Sequence, residues 1–216
     1  MEPVTANKKR DRDLTWKERF EAMQAANPVS ESDGSDSETV RFPTPYVGLD
    51  CEMVGVGSDG KRSVLARVTL VNSEGSCLYD KHVAVGEAIT DFRTNVSGIR
   101  PRDLRYATAF KAVQREVHDI IRGRIVVGHA LKNDFKALLL DHPRHSIRDT
   151  AVYKPLRPLN RAVALRKLAS EQLDVEIQTG EHSPLEDARA AMCLYLKHSK
   201  QWETYLAGKS RQSKHK

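Results

Sequence analysis

Cysteine is scarce in this chain, and the three present, Cys51, Cys77 and Cys193, are an odd number without Cys-x-x-Cys spacing. This fits reduced thiols in or near the core of an intracellular protein better than a disulfide framework or a zinc site. Long apolar runs are also missing. Nothing approaches bilayer-spanning length, and the polar stretch from Glu2 to Asp13 lacks the apolar core of a secretory signal, so the sequence reads as soluble and not exported. Acidic charge is in deficit. Lys and Arg number 35 against 29 Asp and Glu, a net charge of +6 that favours a polyanionic partner over an acidic one. The length, 216 residues, suits one domain of ordinary size with tails.

Residues 1–43 read as a flexible arm. They mix a basic cluster, Lys8-Lys-Arg-Asp-Arg12, with an acidic, serine-rich stretch, Ser30-Glu-Ser-Asp-Gly-Ser-Asp-Ser-Glu38. Within the arm, Trp16, Phe20 and Met23 recur at helical spacing and predict a short helix over 14–26, with no partner named for its apolar face. Phe42-Pro-Thr-Pro45 marks a boundary, because proline restrains itself and the residue before it. The domain proper is expected over 44–206, followed by a basic tail, 207–216, without structure. Three strand-like runs, Tyr46–Val54, Ser63–Asn72 and Cys77–Val85, predict an antiparallel meander. Helices at about 110–122 and 131–140 then alternate with strands at 124–127 and 146–149, and helices at about 162–172 and 184–197 follow. Strands first, then alternation, imply an α/β mixed sheet with helices packed on it.

The chemistry starts at Asp50-Cys-Glu52. Carboxylates two apart on a strand share a face, and like charges held that close resist ionising together unless a cation neutralises them. Taken alone, they could equally be solvated acids on an edge strand. Gly55-Val-Gly-Ser-Asp-Gly60 matches the dinucleotide-binding glycine pattern, but the following β-like run, where a helix would be needed, makes it a hairpin loop. Asp134 falls in the first turn of a helix after Val126-Val-Gly-His129, where the helix dipole favours a carboxylate whether or not it has a further role. Ser183-Pro-Leu-Glu186 has the spacing of a capping box, which puts Asp187 one turn into a helix and His182 just outside it. His142-Pro-Arg-His145 is not a metal pair, because Pro143 prevents a regular helix there.

Asp50-x-Glu52, Gly128-His129 with Asp134, and His182 five residues before Asp187 together resemble the three sequence blocks of the DEDDh exonucleases. Further blocks, Leu65-Ala-Arg-Val-Thr-Leu-Val-Asn72, Arg93-Thr-Asn-Val-Ser-Gly-Ile99 and Ile147-Arg-Asp-Thr150, resemble that family's RNA exonuclease branch. The resemblance spans about residues 46–203. It implies a ribonuclease-H-like α/β fold, a five-stranded mixed sheet with three antiparallel strands first, flanked by α-helices. It also implies 3′-to-5′ hydrolysis of nucleic acid that releases nucleoside 5′-monophosphates.

Carried over onto these residues, Asp50, Glu52, Asp134 and Asp187 would hold two divalent ions, Mg²⁺ or Mn²⁺, with Asp50 shared between them and His182 as the base. Met53, Val54, Gly98 and Ile99 would border the terminal nucleotide, although Met53 and Ile99 read equally as core. Arg93, Arg100, Arg102 and Lys132 would track phosphates. The expected partner is single-stranded RNA, or DNA, with a free 3′ end. The protein is expected to be a monomer that makes no membrane contact, and to act in ribosomal RNA processing in the nucleus and nucleolus. Two other readings are a DNA or RNA exonuclease of the interferon-induced or apoptosis-linked branches, and a nucleic-acid-binding scaffold without turnover.

Overall fold

The computed structural model describes residues 14–25 and 43–213, with side chains described as far as residue 208. The basic cluster at 8–12 and the acidic stretch at 30–38 lie outside these residues. β1 (Tyr46–Val56), β2 (Arg62–Val71) and β3 (Cys77–Ala84) form the expected meander, antiparallel throughout. The β1–β2 hairpin closes through Gly57 and Gly60, both at positive φ. Gly55 must be glycine because a Cβ there would lie 2.1 Å from the Gly60 carbonyl oxygen. The glycine-rich stretch is therefore a hairpin loop, as its context predicted.

The sheet has seven strands where five were expected. β4 (Ile89–Asp91) pairs with the end of β1, and β5 (Thr108–Ala109) runs parallel to β3. Strands of three and two residues are too short to show a period of two, so alternation could not reveal them. β6 (Ile125–Gly128) and β7 (Ile147–Asp149) complete the order β5-β3-β2-β1-β6-β7, with β1, β6 and β7 mutually parallel.

Alternation along β1 sorts its two faces. Val47, Leu49 and Cys51 join the core beneath α3 (Phe110–Ile121) and α4 (Lys132–Leu138), where Val113, Val117 and Ile121 form a stripe at i, i+4 and i+8. Gly48, Asp50 and Glu52 face the other way, towards α6 (Pro184–Ser213). A Cβ on Gly48 would sit 2.6 Å from Val71 Cγ2 and 3.2 Å from the Ala188 carbonyl, so the lack of a side chain lets helix and strand approach closely here. The run Ala188–Tyr195 is almost wholly buried, because α5 (Leu165–Leu173) and α1 (Trp16–Ala25) cover its outer side.

α1 gives the apolar stripe of the arm its partner. Phe20 and Met23 are buried against this layer, and Met23 sulfur lies 3.4 Å from Cys193 Sγ. α6 itself continues well past residue 197, into the segment expected to be an unstructured tail. Aromatic packing of Trp202 with Tyr153 and Tyr195, and the buried Arg148 bonded to Glu203, hold its second half.

Candidate active site

A β-bulge separates Glu52 from Met53. Glu52 pairs with Arg67 and Met53 with Leu65, which leaves Ala66 as the extra residue on β2. Bulges of this kind bend a strand and re-aim its side chains next to functional sites. The carboxylates of Asp50 and Glu52 thus emerge beyond the carboxyl ends of the parallel strands β6 and β7, where the start of α6 and the β6–α4 turn converge. Glu52, His182 and Asp187 each offer a ligand atom within 4.8 Å of the others, and no other such group of metal-binding side chains occurs among the described residues. His142 and His145 do not form one. His142 instead hydrogen-bonds to the Arg124 carbonyl and stacks on Phe135.

The electrostatics draw Asp50 and Asp134 into the same volume. Asp50 is held well above the usual carboxylate range by burial, then by the charges of Asp134, Asp187 and Glu52. Glu52 is pushed up to about 8, chiefly by burial and then by Asp187, with Arg67 opposing. Burial raises Asp134 to about 7, against hydrogen bonding from Cys51 that acts to lower it. Asp187 rises to about 6, again through burial, with the Gln178 hydrogen bond opposing. Four carboxylates that cannot all ionise cheaply are an expensive arrangement without a cation. One atom points to the same need: Asp187 Oδ1 is buried and has no hydrogen-bond partner among the described residues, whereas Oδ2 accepts from Gln178 Nε2 at 2.8 Å. Hard carboxylate oxygens, one of them orphaned, fit a divalent oxygen-seeking cation such as Mg²⁺ or Mn²⁺.

His182 stands at the rim. Its Nδ1 lies 3.7 Å from Asp187 Oδ2, its side chain is 31% exposed, and burial lowers its pKa below the ordinary histidine value. Its backbone is pinned, with its N–H donating to the Val96 carbonyl at 2.7 Å. Val96 belongs to α2 (Thr94–Ser97), a short helix that ends at Gly98 with φ 67. Gly98 packs against Glu181 and the His182 carbonyl, and Glu181 accepts both terminal nitrogens of Arg100. The capping box is half made. Ser183 Oγ accepts from the Glu186 N–H, but the Glu186 carboxylate takes the Gln178 N–H and the side chain of Gln24 on α1 instead of returning to Ser183.

Several expected substrate contacts are spoken for. The side chains of Val54 and Ile99 are fully buried together with Ala66 and present no face to a base. Met53 is partly buried, and Gly98 serves the turn beneath His182. Arg93 is committed to Ser63 Oγ and the Gly60 carbonyl, and Arg100 to Glu181; Arg102 is exposed beside Asp103, and Lys132 is exposed.

Two positioning residues escaped the sequence reading. Asp149, buried at the end of β7, accepts the N–H groups of Ala130, Leu131 and Ala151 at 2.8, 3.0 and 2.9 Å, and so fixes the turn that delivers Asp134. Gln178, at φ 54, orients Asp187. Asp149 lies in the Arg-Asp-Thr block after a strand, a signal that was available. Gln178 gives none, since its role comes from a contact with another element.

A carboxylate-lined crevice at the carboxyl ends of a mixed sheet, with a histidine at its rim, defines a metal-assisted nuclease of ribonuclease-H-like architecture. The exonuclease family model (RNase_T) matches residues 47–195, and the chain belongs to this family. It is similar to RNA exonuclease 4 of Xenopus laevis, 51% identical over 168 residues that cover 77% of this chain and 40% of the relative. RNA exonuclease 4 of Homo sapiens is 48% identical over 191 residues, covering 85% and 45% respectively, and that of Saccharomyces cerevisiae is 44% identical over 178 residues, covering 81% and 62%. The chain thus spans about two-fifths to three-fifths of the length of these relatives. Among solved structures, the Neurospora crassa Pan2 catalytic unit superposes with a TM-score of 0.67 at 27% identity, over 84% of this chain and 31% of that one. The Saccharomyces cerevisiae Pan2 exonuclease module in complex with AAGGA RNA gives 0.66 at 32%, over 88% and 35%.

Proposed function

We propose that the protein removes nucleotides one at a time from the 3′ end of single-stranded RNA, releasing nucleoside 5′-monophosphates, with two divalent cations, Mg²⁺ or Mn²⁺, held by Asp50, Glu52, Asp134 and Asp187. The observation that carries this reading is the burial of four mutually repelling carboxylates around an unpartnered oxygen, Asp187 Oδ1. When bound, such cations supply the positive charge that lets an anionic phosphodiester approach and that acidifies a water molecule.

The protein's own groups do the rest. Burial lowers the His182 pKa and so favours the neutral imidazole, and with Nδ1 facing Asp187, Nε2 is placed to take a proton from the attacking water. Gln178 keeps Asp187 in one orientation, and Asp149 holds the turn below Asp134. The preference for RNA rests on the RNA exonuclease 4 relatives and on the RNA in the Pan2 complexes. Ribosomal RNA processing in the nucleolus belongs to the same proposal for the whole protein.

The test incubates end-labelled single-stranded RNA and DNA with the wild type, Asp187→Asn and His182→Ala in Mg²⁺. Stepwise shortening from the 3′ end, preferring RNA and lost in both variants and in excess EDTA, is expected. Binding without shortening, or activity that survives EDTA, would defeat the proposal.

A further inference from the structure

Between Asp149 and Glu171 the chain has no acidic residue, yet it carries Lys154, Arg157, Arg161, Arg166 and Lys167. Such a run would be unremarkable in a floppy loop, but this one is anchored. Tyr153, Leu156 and Leu165 are buried, and the Tyr153 ring stacks on Trp202 of α6 with centroids 3.8 Å apart and planes 4° from parallel. The apolar residues of the segment thus hold it against the second half of α6, while Lys154, Arg161 and Arg166 point outward and form no ion pair among the described residues. The same part of α6 carries the exposed Lys200, beside a cavity of about 570 Å³ that Lys197, His198 and Tyr205 help to line. At the tip of the segment, Leu159 is 89% exposed between two arginines, and its backbone and that of Asn160 are both at positive φ. A fixed surface of unpaired cations interleaved with exposed apolar and aromatic side chains is what a single strand of nucleic acid requires, phosphates on the cations and bases against the apolar groups.

We infer that this face is a second RNA-binding surface, which grips the sugar-phosphate backbone of the substrate strand upstream of its 3′ end. The inference rests on the exonuclease reading of the crevice. Its geometry sets a length requirement. Lys200 lies thirteen residues after Asp187 on one continuous helix, about 20 Å along its axis, so only a strand of several nucleotides reaches both places. Short substrates feel the crevice alone.

The experiment compares the wild type with a triple variant, Lys154→Gln, Arg161→Gln and Lys200→Gln, whose side chains are exposed and form no ion pair among the described residues. Binding of a labelled oligoribonucleotide of about 20 nucleotides is measured against salt, and turnover is measured on that strand and on a dinucleotide. The variant is expected to bind the long strand about tenfold more weakly, with a log-affinity against log-salt slope shallower by about 2. Its kcat/KM should fall on the long strand and stay unchanged on the dinucleotide. Unchanged affinity and slope would overturn the inference and leave this face to an acidic protein partner; an equal fall on the dinucleotide would also overturn it. The binding arm needs no turnover. A wild type inert on both substrates would sink the catalytic reading, while affinity and slope would still decide this one.

Discussion

Replacing Glu52 by glutamine should make the metal-free protein more stable at pH 8 while removing its activity. In the folded state the Glu52 pKa is about 8 against an ordinary value of 4.5, mainly because the side chain is buried and 6% exposed. Because the folded form holds the proton more tightly, the stability it contributes is complete below pH 4.5 and is lost as pH rises through about 8. Between pH 5 and pH 8 the loss in the wild type works out at roughly 2–4 kcal/mol, after allowance for relaxation around a crowded carboxylate. Glutamine does not titrate, so the difference between variant and wild type should grow by that amount over the same range. For a chain of this size it corresponds to a relative gain in Tm of about 4–16 °C.

Thermal melts of both proteins in EDTA, at half-unit steps of pH, measure the difference directly. Groups away from the crevice cancel in that comparison, including Asp59 and Glu87, whose lowered pKa values act in the opposite sense, whereas Asp50, which the Glu52 charge helps to raise, is relieved in the variant and adds to its gain. Mg²⁺ should then raise the Tm of the wild type most at pH 8, where the unprotonated acids are most numerous, and should raise that of the variant far less. A difference that stays flat from pH 5 to pH 8, or that shrinks, would refute the electrostatic account of the crevice.

Other outcomes follow from the same contacts. His182→Ala should lower kcat by roughly 10²–10⁴ while leaving RNA affinity in place, as separate binding and turnover measurements would show; an equal loss of both would assign His182 to substrate binding. Asp149→Ala leaves three backbone N–H groups without their acceptor and should cost about 3 kcal/mol or more in chemical denaturation. Its activity should fall further than its stability predicts, because the turn beneath Asp134 loosens. Gly98→Ala forces a side chain into φ 67 beside Glu181 and should cost about 1–2 kcal/mol; an unchanged Tm would show that the turn relaxes freely.

The meander was legible because β1, β2 and β3 are long enough to alternate and are separated by glycine turns. β4, β5 and α2, with three, two and four residues, carry no period and take shape only from the neighbours they meet. The helix of the arm could be read from Trp16, Phe20 and Met23, but its seat could not, since Gln24 meets Glu186 and Met23 meets Cys193 more than 160 residues along the chain. Asp50 and Glu52 announced themselves by their spacing, and His182 and Asp187 by the proline-marked helix start between them. Val54 and Ile99 show the limit. An apolar side chain near a site looks the same in sequence whether it awaits a base or packs under the floor, and here the core takes both. The capping box failed in its second half for a similar reason, because Gln178 and Gln24 compete for the Glu186 carboxylate and are visible only in three dimensions.

The crevice is assembled from the two ends of the domain. Asp50 and Glu52 lie on its first strand, and Asp187 lies at the head of its last helix. On the ribosome these arrive in that order, so a nascent chain that has already made its sheet still lacks Asp187 and His182. Until α6 has left the exit tunnel and docked along Gly48, the growing polypeptide holds only part of the set of acids that lines the crevice. Synthesis itself thus delays completion of the crevice until the rest of the domain is in place.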